Sequence, residues 1–215
     1  MATVGLKLVT LALKNEAGQI ITGEQGLSEN GLLPVTTQMW GTKTANITNI
    51  QSTGTINYGN NVAVFVSTPK GAPQVALDFN KLPFEVTQKL VGRAKDAKTG
   101  AWIETGKHPS VALLIESQSI DRLHRVFYGF GNGTMTQASV NNGTDTNAET
   151  MATDALTYQA LSTPEFDGEM LAMYSDVSTE FNEGKMMEQV FKGYKATSTV
   201  VPGVGTSQSG SQAHQ

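Results

Sequence analysis

The sequence predicts a mainly β protein with a single clear flanking helix, and three observations lead to that prediction. Apolar and polar residues alternate in several short segments, which is the pattern of strands with one buried face. Glycine is frequent, with 22 copies, and only 16% of the 215 residues are charged. One segment, residues 80–92, changes instead to the helical period. This composition is typical of an ordinary β-sandwich, and it also suits a β protein whose surface contacts copies of itself.

Charge and cysteine content argue against several functional classes. The chain carries a net charge of −4 and has no cysteine. It therefore lacks the basic field that attracts nucleic-acid backbones, and it cannot form disulfides, thiolate metal sites or cysteine nucleophiles. The first residues lack the basic region and cleavage site of a signal peptide, and no apolar run reaches the length of a membrane span.

The chain opens with an expected strand, Val4–Leu13. Its alternation divides the side chains between two faces: Leu6, Leu8, Thr10 and Ala12 on one, and Lys7, Val9, Leu11 and Leu13 on the other. Further strands are expected at residues 61–67, 111–118, 123–130, 153–161 and 169–174. The turn at Ser119–Arg122 makes 111–130 the clearest hairpin. Residues 131–150, rich in Asn, Gly and Thr, are expected to form a loop or a polar hairpin extension.

Residues 22–59 are predicted to form a long loop that contains at most two short strands, at 44–50 and 54–58. Glycine and proline recur throughout this region. Structureless loops of this length are uncommon in compact domains and are usually functional. Its apolar residues need a surface to cover: Leu32, Leu33, Val35, Met39 and Trp40.

The segment Gln74–Gly92 combines a strand with the clearest helix of the chain. Asn80 is the expected N-cap, Pro83 is tolerated in the first turn, and Gly92 ends the helix. The apolar stripe that packs this helix against the sheet is expected to comprise four residues: Phe84, Val86, Leu90 and Val91.

The remaining segments give weaker patterns. Trp102 and Ile103 lie in a polar stretch and are expected to cap the core. A second short helix is expected within residues 178–194, with Phe181, Met187, Val190 and Phe191 as its apolar contacts. Residues 196–215 have no core-forming period, so we expect a flexible tail.

No pattern indicates catalysis, and we expect no enzyme, metal or cofactor. The three histidines are not at ligand spacing. The glycines of Gly129–Gly133 follow a strand, but no helix opens after them, as a phosphate-binding loop requires. Glu116 and Asp121 flank one turn and could lie close together, which keeps a carboxylate-dependent hydrolase as a minor alternative.

Four segments resemble, in order and spacing, the major tail proteins, or tail tube proteins, of long, non-contractile-tailed bacteriophages (siphophages), notably those of Gram-positive bacteria. They are ATVGLKLVTLAL at 2–13, VALDFNKLPFEVTQKLVG at 75–92, VALLIESQSIDRLHRVFYGFGNGT at 111–134 and TDALTYQALSTPEFDG at 153–168. The second is similar to the family's strand, D/N-x-L-P motif and short helix. Together they cover most of residues 2–194.

The resemblance implies a tail-tube domain at 1–195, a β-sandwich or half-barrel with the helix (about 80–92) on its flank, followed by the tail at 196–215. It implies a structural virion protein that assembles in the host cytoplasm into stacked hexameric rings, through which the genome passes. The implied partners are other copies of the chain, the tape measure, distal tail and tail terminator proteins, and DNA in transit without sequence-specific binding, with no membrane.

The same resemblance assigns roles to particular residues. Leu32, Leu33, Val35, Met39 and Trp40 become candidates for contacts between subunits or rings, and Glu116 and Gln118 for the lumen. Ring closure would pair exposed strand edges, and a polar, mildly acidic channel would let DNA slide. The alternative is a carbohydrate- or surface-binding β-sandwich module, such as a virion decoration protein, with Trp40 or Trp102 at its site.

Overall fold

Thirteen β-strands and two α-helices make up the described part of this computed structural model, which comprises residues 2–140, 142–144 and 152–195. The first seven strands are β1 (Thr3–Lys14), β2 (Leu33–Pro34), β3 (Thr42–Thr48), β4 (Thr55–Gly59), β5 (Val62–Ser67), β6 (Gln74–Phe79) and β7 (Arg93–Lys95). The others are β8 (Trp102–Glu104), β9 (Ser110–Ser119), β10 (Arg125–Phe130), β11 (Gly133–Thr136), β12 (Asp154–Ala160) and β13 (Ala172–Ser175). The helices are α1 (Phe84–Val91) and α2 (Glu183–Val190). The predicted mainly β fold with a flanking helix is confirmed.

Two antiparallel sheets enclose the main core. The five-stranded sheet has the order β13-β10-β9-β1-β2, and the four-stranded sheet has the order β11-β12-β6-β3. Leu11, Leu113 and Phe130 of the first sheet meet Leu77 and Tyr158 of the second in this core. Two separate hairpins, β4–β5 and β7–β8, lie outside both sheets.

The strands of the two sheets cross. β3 lies under one end of the five-stranded sheet, since its Ala45 and Ile47 line the same cleft as Ser117 and Tyr128. β11 lies at the other end, where the Ser110 hydroxyl donates a hydrogen bond of 2.6 Å to Asn132, just before β11. The two edge strands of the four-stranded sheet, β3 and β11, are therefore at opposite ends of the β9 strand.

A bulge changes the predicted facing of β1. Its register with β9 shifts on both sides of Leu6, and Gly5 has a φ of 72°. Leu6 therefore packs against the main core with Val9, whereas Leu8 lies on the opposite face. The predicted grouping of Leu6 with Leu8 was wrong because a bulge inserts an extra residue and reverses the alternation.

Helix α1 closes one side of the sandwich. Val86, Leu90 and Val91 are buried in the main core, as predicted. Phe84 does not pack there, because it occupies the first turn and is 66% exposed; the buried Leu82, just before the helix, contributes instead.

The two ends of α1 differ in how well the sequence predicted them. The N-cap is Pro83 rather than Asn80, whose side-chain amide donates to the carbonyl oxygen of Trp40 at 2.8 Å. Gly92 ends the helix with a φ of 85°, as predicted.

Helix α2 covers the outer face of the five-stranded sheet and builds a second core. Val190 and Phe191 are buried there, and Phe181 and Met187 are half-buried, as predicted. Met186 is also buried in this core, together with Phe127. One face of the five-stranded sheet therefore faces the main core and the other is partly covered by the helix.

Residues 22–59 contain more regular structure than a loop. Strand β3 forms the edge of the four-stranded sheet, and β4 begins a separate hairpin. Two single turns of 3-10 helix, Gly23–Gln25 and Thr37–Met39, precede them. The irregular part thus ends near residue 41, because Ala45 and Ile47 alternate toward the core and turn the segment into a strand.

Two expectations in the second half need correction. Residues 133–136 were expected in a loop or a polar hairpin extension, but they form β11 at the edge of the four-stranded sheet, because Met135 is fully buried and Gly133 packs against Tyr158. Ile103 does not cap the core, because the β7–β8 hairpin leaves it 59% exposed. The predicted tail, residues 196–215, lies outside the described residues.

Candidate assembly surfaces

The four-stranded sheet has two edges that run in opposite directions. Each neighbouring pair in β11-β12-β6-β3 is antiparallel, so an even number of strands makes β3 and β11 antiparallel to each other. Neither edge strand has a further strand partner among the described residues. A copy related by rotation could therefore continue the same antiparallel pattern.

The five-stranded sheet does not have this property. Its odd number of strands makes β13 and β2 parallel to each other. Moreover, β2 has only two residues and one of them is Pro34, which lacks a backbone donor. The four-stranded sheet is therefore suited to antiparallel pairing with the same sheet of another copy, and the five-stranded sheet is not.

The outward face of the four-stranded sheet is polar, and neither helix packs on it. Its side chains alternate with the buried ones and are small or uncharged except for Asp78: Thr44, Asn46, Thr48, Gln74, Ala76, Asp78, Thr134, Thr136, Ala155, Thr157 and Gln159. Asp78 lies 3.6 Å from the ammonium group of Lys43. This face therefore presents little charge.

The hairpin of β4 and β5 is the most apolar exposed surface of the described residues. No residue of β5 is buried, although Val62, Val64, Phe65 and Val66 are all large and apolar. A two-stranded hairpin with no sheet behind it is marginally stable in water. We call β4–β5, residues 55–67, the apolar arm; Ile56 and Val66 pair across it, but its large apolar side chains are at least 50% exposed, which fits burial against another subunit.

The predicted contact residues divide into two groups. Leu32, Leu33 and Val35 are buried in the subunit's own cores, and Met39 is half-buried. Trp40 is 60% exposed, with a φ of 56°, and the Lys81 ammonium lies 5.6 Å from its ring centroid. Among the five, Trp40 is thus the residue whose side chain is available to a neighbour.

The predicted lumen residues lie on the five-stranded sheet. Glu116 is half-buried in a cleft below α2 that Glu183 also lines, and burial raises the pKa of its carboxyl, although Arg125 opposes the shift. Gln118 pairs with Val4 and Arg125 at the end of β9. A lumen position for either residue stays a prediction.

The two carboxylates considered for catalysis have different surroundings. Asp121 accepts hydrogen bonds from Ser119 and from the Leu123 N–H within the turn, while Glu116 lies under α2. His124 Nδ1 is 3.3 Å from Asp176. The described residues contain no group of His, Asp and Glu side chains placed to hold a metal ion.

The glycine-rich segment connects two strands. Gly133 begins β11 directly after the β10 strand, so no helix N-terminus is available to hold a phosphate. The Gly131 carbonyl accepts a hydrogen bond of 2.7 Å from the buried ammonium of Lys14. This segment therefore has a structural role.

An ionic cluster ties α2 to the turn before β13. Burial by itself would raise the pKa of Glu165, but hydrogen bonds from Thr163 and Lys192 lower it to about 2. The Lys192 ammonium is 2.9 Å from the Glu165 carboxylate, and burial lowers the pKa of nearby Lys14. At neutral pH the pair fastens the end of α2 to the five-stranded sheet.

Sequence reasoning missed the apolar arm. Its signal was present in Val62–Val66, where consecutive residues are apolar on both faces of a strand. Such a run is typical of a strand buried on both sides, and the subunit provides no layer for either side. Because no described layer covers either face of this strand, we expect another protein subunit to cover it.

Among the described residues, the free antiparallel edges, the uncovered polar face and the exposed apolar arm belong to a β-sandwich subunit, and such surfaces are typical of proteins that associate with other copies or partners. A family model described as phage tail tube protein matches residues 1–199. The chain belongs to this family, which confirms the resemblance found in the sequence and makes it a structural component of the virion tail. No curated protein matches the chain. No helix among the described residues is long and apolar enough to cross a membrane.

Proposed function

We propose that this chain is the ring-forming subunit of the tail tube of a siphophage of a Gram-positive host, and that six copies form each ring. The observation that carries the proposal is the four-stranded sheet with two free, oppositely directed edges. In a head-to-tail ring, β3 of one subunit would pair with β11 of the next, which removes every exposed edge of this sheet. The family match supports a tail tube role independently.

The outward face of the four-stranded sheet would then line the lumen. Threonine, asparagine, glutamine and alanine side chains dominate it, and its one carboxylate lies beside Lys43. Such a surface offers DNA few cations to hold phosphates, so the genome could slide through. This assignment replaces Glu116 and Gln118 as lumen candidates with residues such as Asn46 and Thr157.

The apolar arm and Trp40 would supply contacts between subunits of the same or adjacent rings. Burying Val64 and Phe65 against a neighbour would remove exposed apolar area from water, at about 25 cal/mol per Å². If each ring makes the same contact with the next ring along the ring axis, the rings stack into a tube. The ring-forming domain would end near residue 195.

The tube would connect with other tail proteins at its ends and inside its lumen. We infer the tape measure, distal tail and tail terminator proteins as partners, and DNA as cargo without sequence-specific binding. Assembly would take place in the host cytoplasm before the tail becomes part of the virion.

Negative-stain electron microscopy of the purified chain over a range of concentrations tests the proposal. Rings or tubes of uniform diameter are expected at high concentration. An Asn46→Pro variant, which removes a backbone donor from the middle of β3, should stop edge pairing, while the Asn46→Ala variant should assemble. Persistent monomers of the unmodified chain in every condition would contradict the proposal. Because proline could also weaken β3 within the subunit, circular dichroism must show that both variants fold.

A further inference from the structure

One end of the five-stranded sheet carries a cleft lined by basic side chains. Its volume is about 610 Å³, and five basic residues border it: Lys14, Lys89, Arg93, Lys107 and His108. We call it the basic cleft. None of the five forms a salt bridge among the described residues, in a chain whose net charge is −4. A concentration of positive charge here is therefore unusual for this molecule.

Three of these basic side chains already donate hydrogen bonds to uncharged oxygen atoms of the subunit. Lys14 donates to the Gly131 carbonyl at 2.7 Å, and Lys89 donates to the Gly26 carbonyl at 3.1 Å. Arg93 donates to the side-chain oxygens of Gln88 and Gln137. Lys107 and His108 are exposed and make no side-chain hydrogen bond with the described residues. The cleft thus offers positive charge to an outside carboxylate; Glu16 is the one acidic residue on its lining.

The opposite end of the same sheet carries a projecting turn. Residues 119–124 join β9 to β10, and we call them the hairpin tip. Ile120 and Leu123 in it are 71% and 77% exposed. Asp121 lies between them; hydrogen bonds from the Ser119 hydroxyl and the Leu123 N–H lower the pKa of its carboxyl. The tip therefore presents the Asp121 carboxylate, held by the turn, between two apolar side chains, with the exposed guanidinium of Arg122 beside it.

The tip cannot reach the cleft of its own subunit. They lie at the two ends of β9, whose ten residues span about 30 Å. β3 lies at the tip end and β11 at the cleft end, where Arg93 reaches Gln137 just beyond β11. Pairing of β3 with β11 of another copy would therefore bring the tip end of one subunit toward the cleft end of the other.

We propose that the hairpin tip of one subunit docks into the basic cleft of the next subunit in the ring. The Asp121 carboxylate would meet the Lys107 ammonium and the His108 imidazole, and Ile120 and Leu123 would cover the apolar stems and Pro109. This inference rests on the proposed function, since it requires ring formation. It identifies the partner as a second copy of this chain.

A charge swap tests this contact. Asp121→Lys and Lys107→Asp, each alone, place like charges together and should raise the concentration needed for assembly on the order of tenfold. The double variant restores opposite charges and should assemble near the wild-type concentration. Asp121→Asn, which keeps acceptors for the turn, should give a smaller increase. Glu29→Lys, an exposed carboxylate elsewhere with the same charge change, is the control.

The outcomes separate this contact from the proposed function. If the wild type forms rings and Asp121→Lys does so equally well, the docking is wrong and the tail tube role stands. A double variant no better than either single variant also overturns it. Normal assembly of Lys107→Asp with altered DNA delivery would assign the cleft to phosphate instead. A wild type that never forms rings overturns the proposed function, and this inference with it.

Discussion

The hydroxyl of Tyr158 donates a hydrogen bond of 3.0 Å to the carbonyl oxygen of Val111, and so joins the two sheets through the middle of the main core. Tyr158 belongs to β12 of the four-stranded sheet and Val111 to β9 of the five-stranded sheet. The ring of Tyr158 is completely buried and lies edge-on to Phe130, with 5.6 Å between the ring centroids. This bond fixes the sheet that we propose for the lumen to the sheet that carries the hairpin tip.

Replacing Tyr158 with phenylalanine should lower the free energy of unfolding by about 1–3 kcal/mol, because the Val111 carbonyl loses a buried partner while the ring packing remains. Urea denaturation at pH 7 measures the change. Tyr128→Phe is the matched control, since Tyr128 is half-buried and its hydroxyl makes no hydrogen bond with the described residues. Equal stability of Tyr158→Phe and the wild type would contradict the role of the bond.

The same tyrosine predicts a pH dependence. Burial raises the pKa of Tyr158 well above its ordinary value. The unfolded chain releases this proton near pH 10 and the folded chain does not, so stability should fall above about pH 10, by up to about 1.4 kcal/mol per pH unit. Tyr158→Phe should show a shallower loss when unfolding is measured from pH 8 to 11. Parallel pH profiles for the two proteins would contradict this.

Phe65→Ser on the apolar arm should prevent or weaken assembly and leave the subunit folded. Phe65 is 60% exposed and lies outside both main sheets, so the substitution should change the free energy of unfolding of the subunit by no more than about 0.5 kcal/mol. Phe84→Ser is the control, because Phe84 is the same residue type at 66% exposure on another surface. Sedimentation velocity compares the fraction in large particles. If the Phe65 variant forms normal tubes, the apolar arm does not take part in the contacts between subunits.

Trp40→Asn should also impair polymerisation without unfolding the subunit. Asparagine tolerates the positive φ of 56° at this position, so the substitution tests the exposed ring rather than the backbone. Lys81→Ala removes the neighbouring cation and keeps the ring, and should assemble nearly as well as the wild type. Circular dichroism and electron microscopy separate the two effects. A large loss of thermal stability would show that Trp40 serves the subunit itself.

Thr157→Lys should leave tube formation intact and reduce DNA delivery, by roughly tenfold, because a ring of added cations would hold phosphates in the lumen. Thr157→Ser keeps the face neutral and should behave like the wild type. Infectivity of phage carrying each variant, normalised to the number of intact tails, measures the effect. Unchanged infectivity of Thr157→Lys would show that this face does not line the DNA path.

Local patterns in the sequence predicted most of the elements. The alternation of Val75, Leu77 and Phe79 predicted β6, and Gly92 marked the end of α1, because these signals depend on neighbouring residues alone. The errors arose at a strand irregularity and at a helix start: the β1 bulge turned Leu6 to the other face, and Phe84 stayed exposed because the helix begins one residue after Pro83. Asn80 donates to Trp40, 40 residues away, rather than capping the helix.

The surfaces for assembly were mostly beyond sequence reasoning. Trp40 is exposed, and its role as a contact between copies stays a prediction, whereas Leu32 and Leu33 belong to the subunit's own cores. An apolar residue in an irregular segment has the same pattern whether its partner lies within the chain or in another copy. Only the positions of the surrounding strands distinguish the two cases.

The sequence by itself determined the mainly β class, the strand-to-helix unit of residues 74–92 and the resemblance to tail tube proteins, because periodicity, turn residues and motif order are local properties of the chain. Within the described residues, the tertiary structure decided which sheet has free antiparallel edges, which sheet face is covered by no helix and which apolar side chains are exposed. These properties depend on strand order and on crossing of the sheets, which bring together residues far apart in sequence. Function as a tube subunit depends on both, since the family gives the role and the edges show how copies could join.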